Sequence, residues 1–112
     1  MGRNTLGALE QAIMMVILAL GDGAYGVAIR DELSRRTQRD HSFGAVYTTL
    51  DRLVAKELLI THLGEPTQKR GGRAKRFFTL TPEGRQALDG AVNARQELES
   101  GLGLASSLLA GR

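Results

Sequence analysis

The 112-residue chain has no cysteine and no tryptophan, and only two prolines and two histidines. The lack of cysteine excludes disulfides, thiol catalysis and thiolate-bound metal. His41 and His62 are far apart and neither stands in an E-x-x-H spacing, so no zinc-ligand pattern is present. Ser42 has no base–orienter pair to activate it, and the acids are scattered among basic residues. Long apolar runs are also missing. The longest, Ala12–Leu20, has nine residues, against about 20 for a membrane-spanning helix. Arg3 before that run and small residues after it imitate a signal peptide. Glu10 and Gln11 directly precede the run, however, and it completes a helical pattern that starts at Leu6. No enzymatic activity, cofactor, metal or membrane association is expected, and a cytoplasmic location fits. What remains is a binding function.

What is present is positive charge concentrated in one place. Apolar residues make up 42% of the chain, enough for one folded domain rather than a disordered one. Net charge is only +3, yet Gly64–Arg76 holds Lys69, Arg70, Arg73, Lys75 and Arg76 against the single acid Glu65. Outside this segment the chain is net negative. Such a patch is the footprint of a nucleic-acid binder, and a solvated surface loop is the plainer alternative. Pro66 and Gly71-Gly72 mark a long turn. The flanking segments, Leu58–Leu63 and Lys75–Leu80, read as paired strands. The period of two sets Phe77 and Thr79 on one face and Phe78 and Leu80 on the other.

Upstream lie three helices. The first is capped by Thr5 and runs from Leu6 to Leu20 on Leu6, Leu9, Ile13, Ile17 and Leu20. Met14, Val16 and Leu18 widen its apolar surface beyond one stripe, so it is expected to be buried on more than one side. Gly21-Asp22-Gly23 ends it. The second spans Tyr25–Thr37, with Val27, Ile29 and Leu33 as its apolar residues. The third begins at Ser42, a favoured N-cap, and runs to Lys56 with Val46, Leu50, Leu53 and Val54 inward. Downstream, Thr81-Pro82-Glu83 is a strong helix start. The helix it opens is expected to reach Leu109, with Leu88, Val92, Leu98, Leu102, Ala105 and Leu109 recurring near a 3.5-residue period. Gly21-Asp22-Gly23-Ala24-Tyr25-Gly26 matches G-x-G-x-x-G, but a dinucleotide site needs a strand before it and another after the helix. Here the glycines make a helix-to-helix turn.

The third helix is the candidate site. Entry into a DNA major groove requires a small-residue N-terminus, which Ser42, Gly44 and Ala45 provide. It also requires polar side chains one turn in, which Tyr47, Thr48 and Thr49 provide. Tyr47 is alternatively a half-core residue. Arg52 reaches a phosphate or pairs with Asp51 or Glu57. The basic turn neutralises phosphates or enters a minor groove, with Gly71 and Gly72 allowing close approach. Tyr25 and Arg36, at the two ends of the second helix, add contacts that fix orientation.

These blocks resemble the PadR family of bacterial transcriptional regulators. The matching segments are Leu9-Glu10, Ala24-Tyr25-Gly26, Ser42-x-Gly44-Ala45-Val46-Tyr47-Thr48-Thr49-Leu50-Asp51-Arg52-Leu53, Gly64-Glu65-Pro66-Thr67, Arg70-Gly71-Gly72-Arg73-Ala74-Lys75-Arg76 and Leu80-Thr81-x-x-Gly84. The resemblance runs from about Thr5 to Leu88. It implies a homodimeric winged-helix repressor with Ser42–Lys56 as recognition helix and Gly64–Arg76 as wing. Dimerisation is implied for the C-terminal helix with help from the N-terminal one. Some members respond to small phenolic or drug-like effectors near the dimer interface. With no tryptophan here, stacking of such a ligand on that residue does not carry over. Gln38 and Glu57 stand where the family often has glycine, and Phe77-Phe78 replaces an aromatic pair that often includes tyrosine.

The expected fold is mainly α with a small β-hairpin. Residues 1–80 form a winged helix-turn-helix and residues 81–112 a C-terminal dimerisation helix. The expected DNA-binding residues are Ser42, Gly44, Ala45, Tyr47, Thr48, Thr49 and Arg52 on the helix. Tyr25, Lys69, Arg70, Gly71, Gly72, Arg73, Lys75 and Arg76 act on the wing and its flank. Leu6, Leu9, Ile13, Leu88, Val92, Leu98 and Leu102 are expected to join two copies. The competing reading is a winged-helix module that docks an acidic protein partner.

Overall fold

The computed structural model describes residues 5–64 and 74–103. The first apolar segment forms helix α1, Ala8–Leu20. It starts later than its apolar pattern suggests, and its N-cap is Gly7 rather than Thr5. The reason is Glu10, whose Oε1 accepts the Gly7 N–H at 2.9 Å. An acid in the first turn satisfies an orphan donor and faces the positive end of the helix dipole. Ile13, Met14, Val16 and Ile17 are buried, while Met15 and Leu18 on the same helix are exposed.

Gly21–Gly23 forms a short 3-10 turn, with Gly21 at φ 59°. The chain then joins the sheet briefly before helix α2, Gly26–Thr37, whose Ile29 and Leu33 are buried. Helix α3, Phe43–Ala55, turns Val46, Leu50 and Leu53 inward. Both helices are left through non-glycine residues in the left-handed region, Gln38 at φ 58° and Glu57 at φ 65°. That conformation costs an ordinary residue about 1–2 kcal/mol. It accounts for the glycine preference noted at these two positions in the resembling family.

Strands β1, Leu59–Leu63, and β2, Arg76–Leu80, pair antiparallel from Leu59↔Leu80 to Leu63↔Arg76. Tyr25 bridges to Phe77, and the Phe78 N–H donates to the Ala24 carbonyl at 2.9 Å. The glycine turn is thus tied to the wing base as a third, minimal strand. Phe78 is fully buried, and with α1, α2, α3 and Leu58 it makes one core.

Helix α4 covers Pro82–Leu102 and ends at Gly103, φ 68°. The rest of the helix expected to reach Leu109, with Ala105, lies outside the described residues. Of the residues expected to join two copies, Leu6, Ile13 and Leu88 are buried in this chain's own core. Leu9 and Val92 are half-buried against that core, whereas Leu98 and Leu102 are exposed. Glu10 is the one buried acid of α1, and Lys56 donates to its Oε2 at 3.1 Å. Burial alone would raise its carboxyl. The Gly7 N–H, the Lys56 ammonium and the charge of Arg52 together outweigh burial and hold it below the ordinary 4.5. A depressed carboxyl stabilises the fold above its unfolded-state value, and that stabilisation is lost as pH falls through the lower folded value. Among the described residues, no helix is long and apolar enough to cross a membrane.

Candidate nucleic-acid interface

The corner between α2 and α3 is fixed by side chains rather than by packing alone. Arg30 Nε donates to the His41 carbonyl at 2.8 Å, and the His41 N–H donates to Ser34 Oγ at 3.1 Å. Thr37 Oγ1 lies 3.0 Å from His41 Nε2. Ser42 then caps α3, its Oγ accepting the Ala45 N–H at 3.1 Å. The start of α3 is therefore held at a defined angle while remaining open to solvent.

Gly44, Ala45, Thr48 and Arg52 are exposed on this helix. A Cβ added to Gly44 would meet nothing, so the fold itself does not require glycine there. Tyr47 is half-buried and lies over Gly26, where any Cβ would collide with its phenol. Its phenol packs at the head of α2, as the half-core alternative has it. Thr49 corrects the expectation. It is 4% exposed and its hydroxyl donates to the Ala45 carbonyl at 2.9 Å, so it supports the helix from inside. One step of 100° around the helix separates it from the exposed Thr48. Arg52 makes no ion pair with Asp51 or Glu57, and its charge helps to hold the Glu10 carboxyl low.

At the wing base, Lys75 Nζ sits 4.4 Å over the Tyr25 ring, and that ring meets Phe77 edge-on at 5.6 Å. Arg76 has partners within the chain. It donates from NH1 to Asp51 Oδ1 at 3.0 Å and from Nε to Thr61 Oγ1 at 3.0 Å, and its guanidinium covers Phe78. These bonds join the wing base to α3. Lys69, Arg70, Gly71, Gly72 and Arg73 lie outside the described residues.

Phe43 was absent from the expected site. It is the first residue of α3, 44% exposed, with the Arg30 guanidinium 4.7 Å from its ring centre and the Tyr47 ring stacked beside it at 6.3 Å. The sequence signal was available: a large apolar residue just after the N-cap and outside the Val46–Leu50–Leu53 stripe.

Several solved structures share this architecture. A PadR-like regulator from Bacillus cereus aligns over 95% of this chain and 95% of its own, with TM-score 0.70 and 21% identity. A PadR-like transcription factor from Bacteroides fragilis aligns over 85% and 86%, with TM-score 0.68 and 25% identity. Bacillus subtilis PadR in complex with operator DNA aligns over 76% of this chain and 46% of its own, with TM-score 0.61 and 20% identity. No curated protein matches the chain. The family model for the transcriptional regulator PadR-like family matches residues 14–90, spanning the second half of α1, α2, α3, both strands and the first turns of α4. With the winged helix-turn-helix in place around that match, the chain belongs to the transcriptional regulator PadR-like family.

Proposed function

We propose that this protein is a sequence-specific DNA-binding repressor that holds a pseudo-palindromic operator as a homodimer. The observation that carries the reading is the outward head of α3. It is capped, rigidly cornered and exposed, with Gly44 facing open space where the fold would accept a side chain. Ser42, Gly44, Ala45, Tyr47 and Thr48 approach base edges and phosphates. Lys75 and the basic segment Lys69–Arg73 neutralise the backbone, adding affinity without much sequence information. The presence of operator DNA in the Bacillus subtilis PadR structure supports this use of the fold.

Dimerisation rests on apolar residues that the domain leaves uncovered: Met15 and Leu18 on α1, and Leu98 and Leu102 on α4. A helix of 21 residues extends about 30 Å, longer than this small core occupies. Two copies paired through it present two α3 helices to half-sites about 34 Å apart. Fluorescence anisotropy with the duplex upstream of the chain's own gene, and a shuffled control, tests the proposal from low to physiological salt. Tight binding to the upstream duplex with a steep salt slope is expected. Absence of binding to either duplex at low salt would overturn the DNA reading and favour an acidic protein partner.

A further inference from the structure

Phe43 is an exposed aromatic residue that its surroundings hold in place. Arg30 stacks over it, and Arg30 is itself tied to the His41 carbonyl and to Asp31 Oδ1 at 3.0 Å. Tyr47 stacks beside it and is seated on Gly26, which admits no side chain. Phe43 therefore belongs to a preassembled row, Arg30–Phe43–Tyr47, at the head of α3. Nothing in the core uses its open surface: the buried residues of α3 are Val46, Thr49, Leu50 and Leu53.

A phenyl ring neither donates nor accepts a conventional hydrogen bond, so it cannot read the polar groups on base edges. The one apolar feature that a base pair presents in the major groove is the C5-methyl of thymine. Resting on the proposal that α3 enters the major groove, we propose that Phe43 is a specificity-determining residue that reads a thymine methyl in each half-site. Arg30 and Tyr47 act as positioning residues: they limit the rotamers of Phe43, so little freedom is lost when the methyl packs against it. The cation stacked on Phe43 also brings positive charge close to the DNA backbone.

The test uses the whole chain and a duplex selected by it from a random-sequence library. Each thymine of that duplex is replaced singly by uracil, which keeps the base pair and removes only the methyl. Binding is compared for the native chain and for Phe43→Ala and Phe43→Leu. Thermal melting checks that the variants are folded, as expected for an exposed position. One uracil position per half-site should weaken native binding about fourfold, the value of one buried methyl group. Phe43→Ala should bind the thymine and uracil duplexes equally, and Phe43→Leu should restore part of the preference. If no thymine shows this coupling, or if folded Phe43→Ala keeps the full preference, the Phe43 assignment fails while the DNA-binding proposal stands. Enrichment of no duplex at all would overturn both.

Discussion

The starts of α3 and α4 use the same device for opposite ends. Each begins with a hydroxyl N-cap, Ser42 Oγ accepting from Ala45 and Thr81 Oγ1 accepting from Gly84, and each has a glycine in its first turn. At α4 the device faces inward. Thr81 is buried and its hydroxyl also donates to the Glu57 carbonyl at 2.8 Å. Gly84 lies so close to the backbone of Leu58 that any Cβ would strike its carbonyl. At α3 the cap and the glycine face solvent, and nothing touches the glycine. One glycine is required by the protein's own packing. The other is not, and only the proposed approach to DNA gives it a use. The two helix heads thus separate what holds this fold from what the fold offers.

Gly84→Ala should break the inward head most severely. The collision is with backbone, which cannot rotate away, so α4 has to lift off Leu58. A loss of about 3 kcal/mol is expected, at the upper end for overpacking. Thermal unfolding would read this as a fall of roughly 12–24 °C, taking 4–8 °C per kcal/mol for a domain of this size. A melting temperature within a few degrees of the native chain would mean that α4 does not approach Leu58 as closely as the packing describes.

The two caps give a second, smaller contrast. Thr81→Ala removes the cap and also leaves the Glu57 carbonyl without its donor, in the turn where Glu57 already holds a left-handed conformation. A loss of about 2 kcal/mol is expected, the upper end for a cap. Ser42→Ala removes only an exposed cap and should cost about 1 kcal/mol. Urea unfolding of both variants measures the difference. Equal losses would erase the distinction drawn between the inward and outward heads.

Both caps were legible in the sequence because capping is local: Ser42 and Thr81 act on residues three positions away. The helix-strand order and the G-x-G-x-x-G turn were legible for the same reason. Long-range commitments were not. Arg76 stood in a basic run and gave no sign that Asp51, 25 residues earlier, holds it. Leu6, Ile13 and Leu88 lay on apolar stripes, and a stripe in a single chain does not say whether its own core or a second copy covers it. Thr49 differed from Thr48 by one helical step, and only the packed core fixes which of the two faces inward. One local reading also failed: Gly7 stands at the N-cap of α1 in place of Thr5, because the Glu10 carboxylate reaches back to the Gly7 N–H. At α3, Phe43 was overlooked because its value lies in being left outside the core.

Gly44→Ala has the smallest effect on stability and separates the two heads most cleanly, since its two consequences have opposite signs. In a helix, alanine is favoured over glycine by about 1 kcal/mol, and less in the first turn. With no atom near the added methyl, the variant should melt a few degrees higher than the native chain. The same methyl projects from the face that the DNA proposal brings closest to the duplex, so affinity for a selected duplex should fall about tenfold, a difference of about 1.4 kcal/mol. A more stable protein that binds less well is expected only if the glycine serves a ligand. A gain in stability with unchanged binding would show that the head of α3 does not approach DNA closely. Its exposed small residues would then be an ordinary solvent-facing surface. A loss of stability would mean that the open space at Gly44 is filled by the chain itself, and the contrast with Gly84 would disappear.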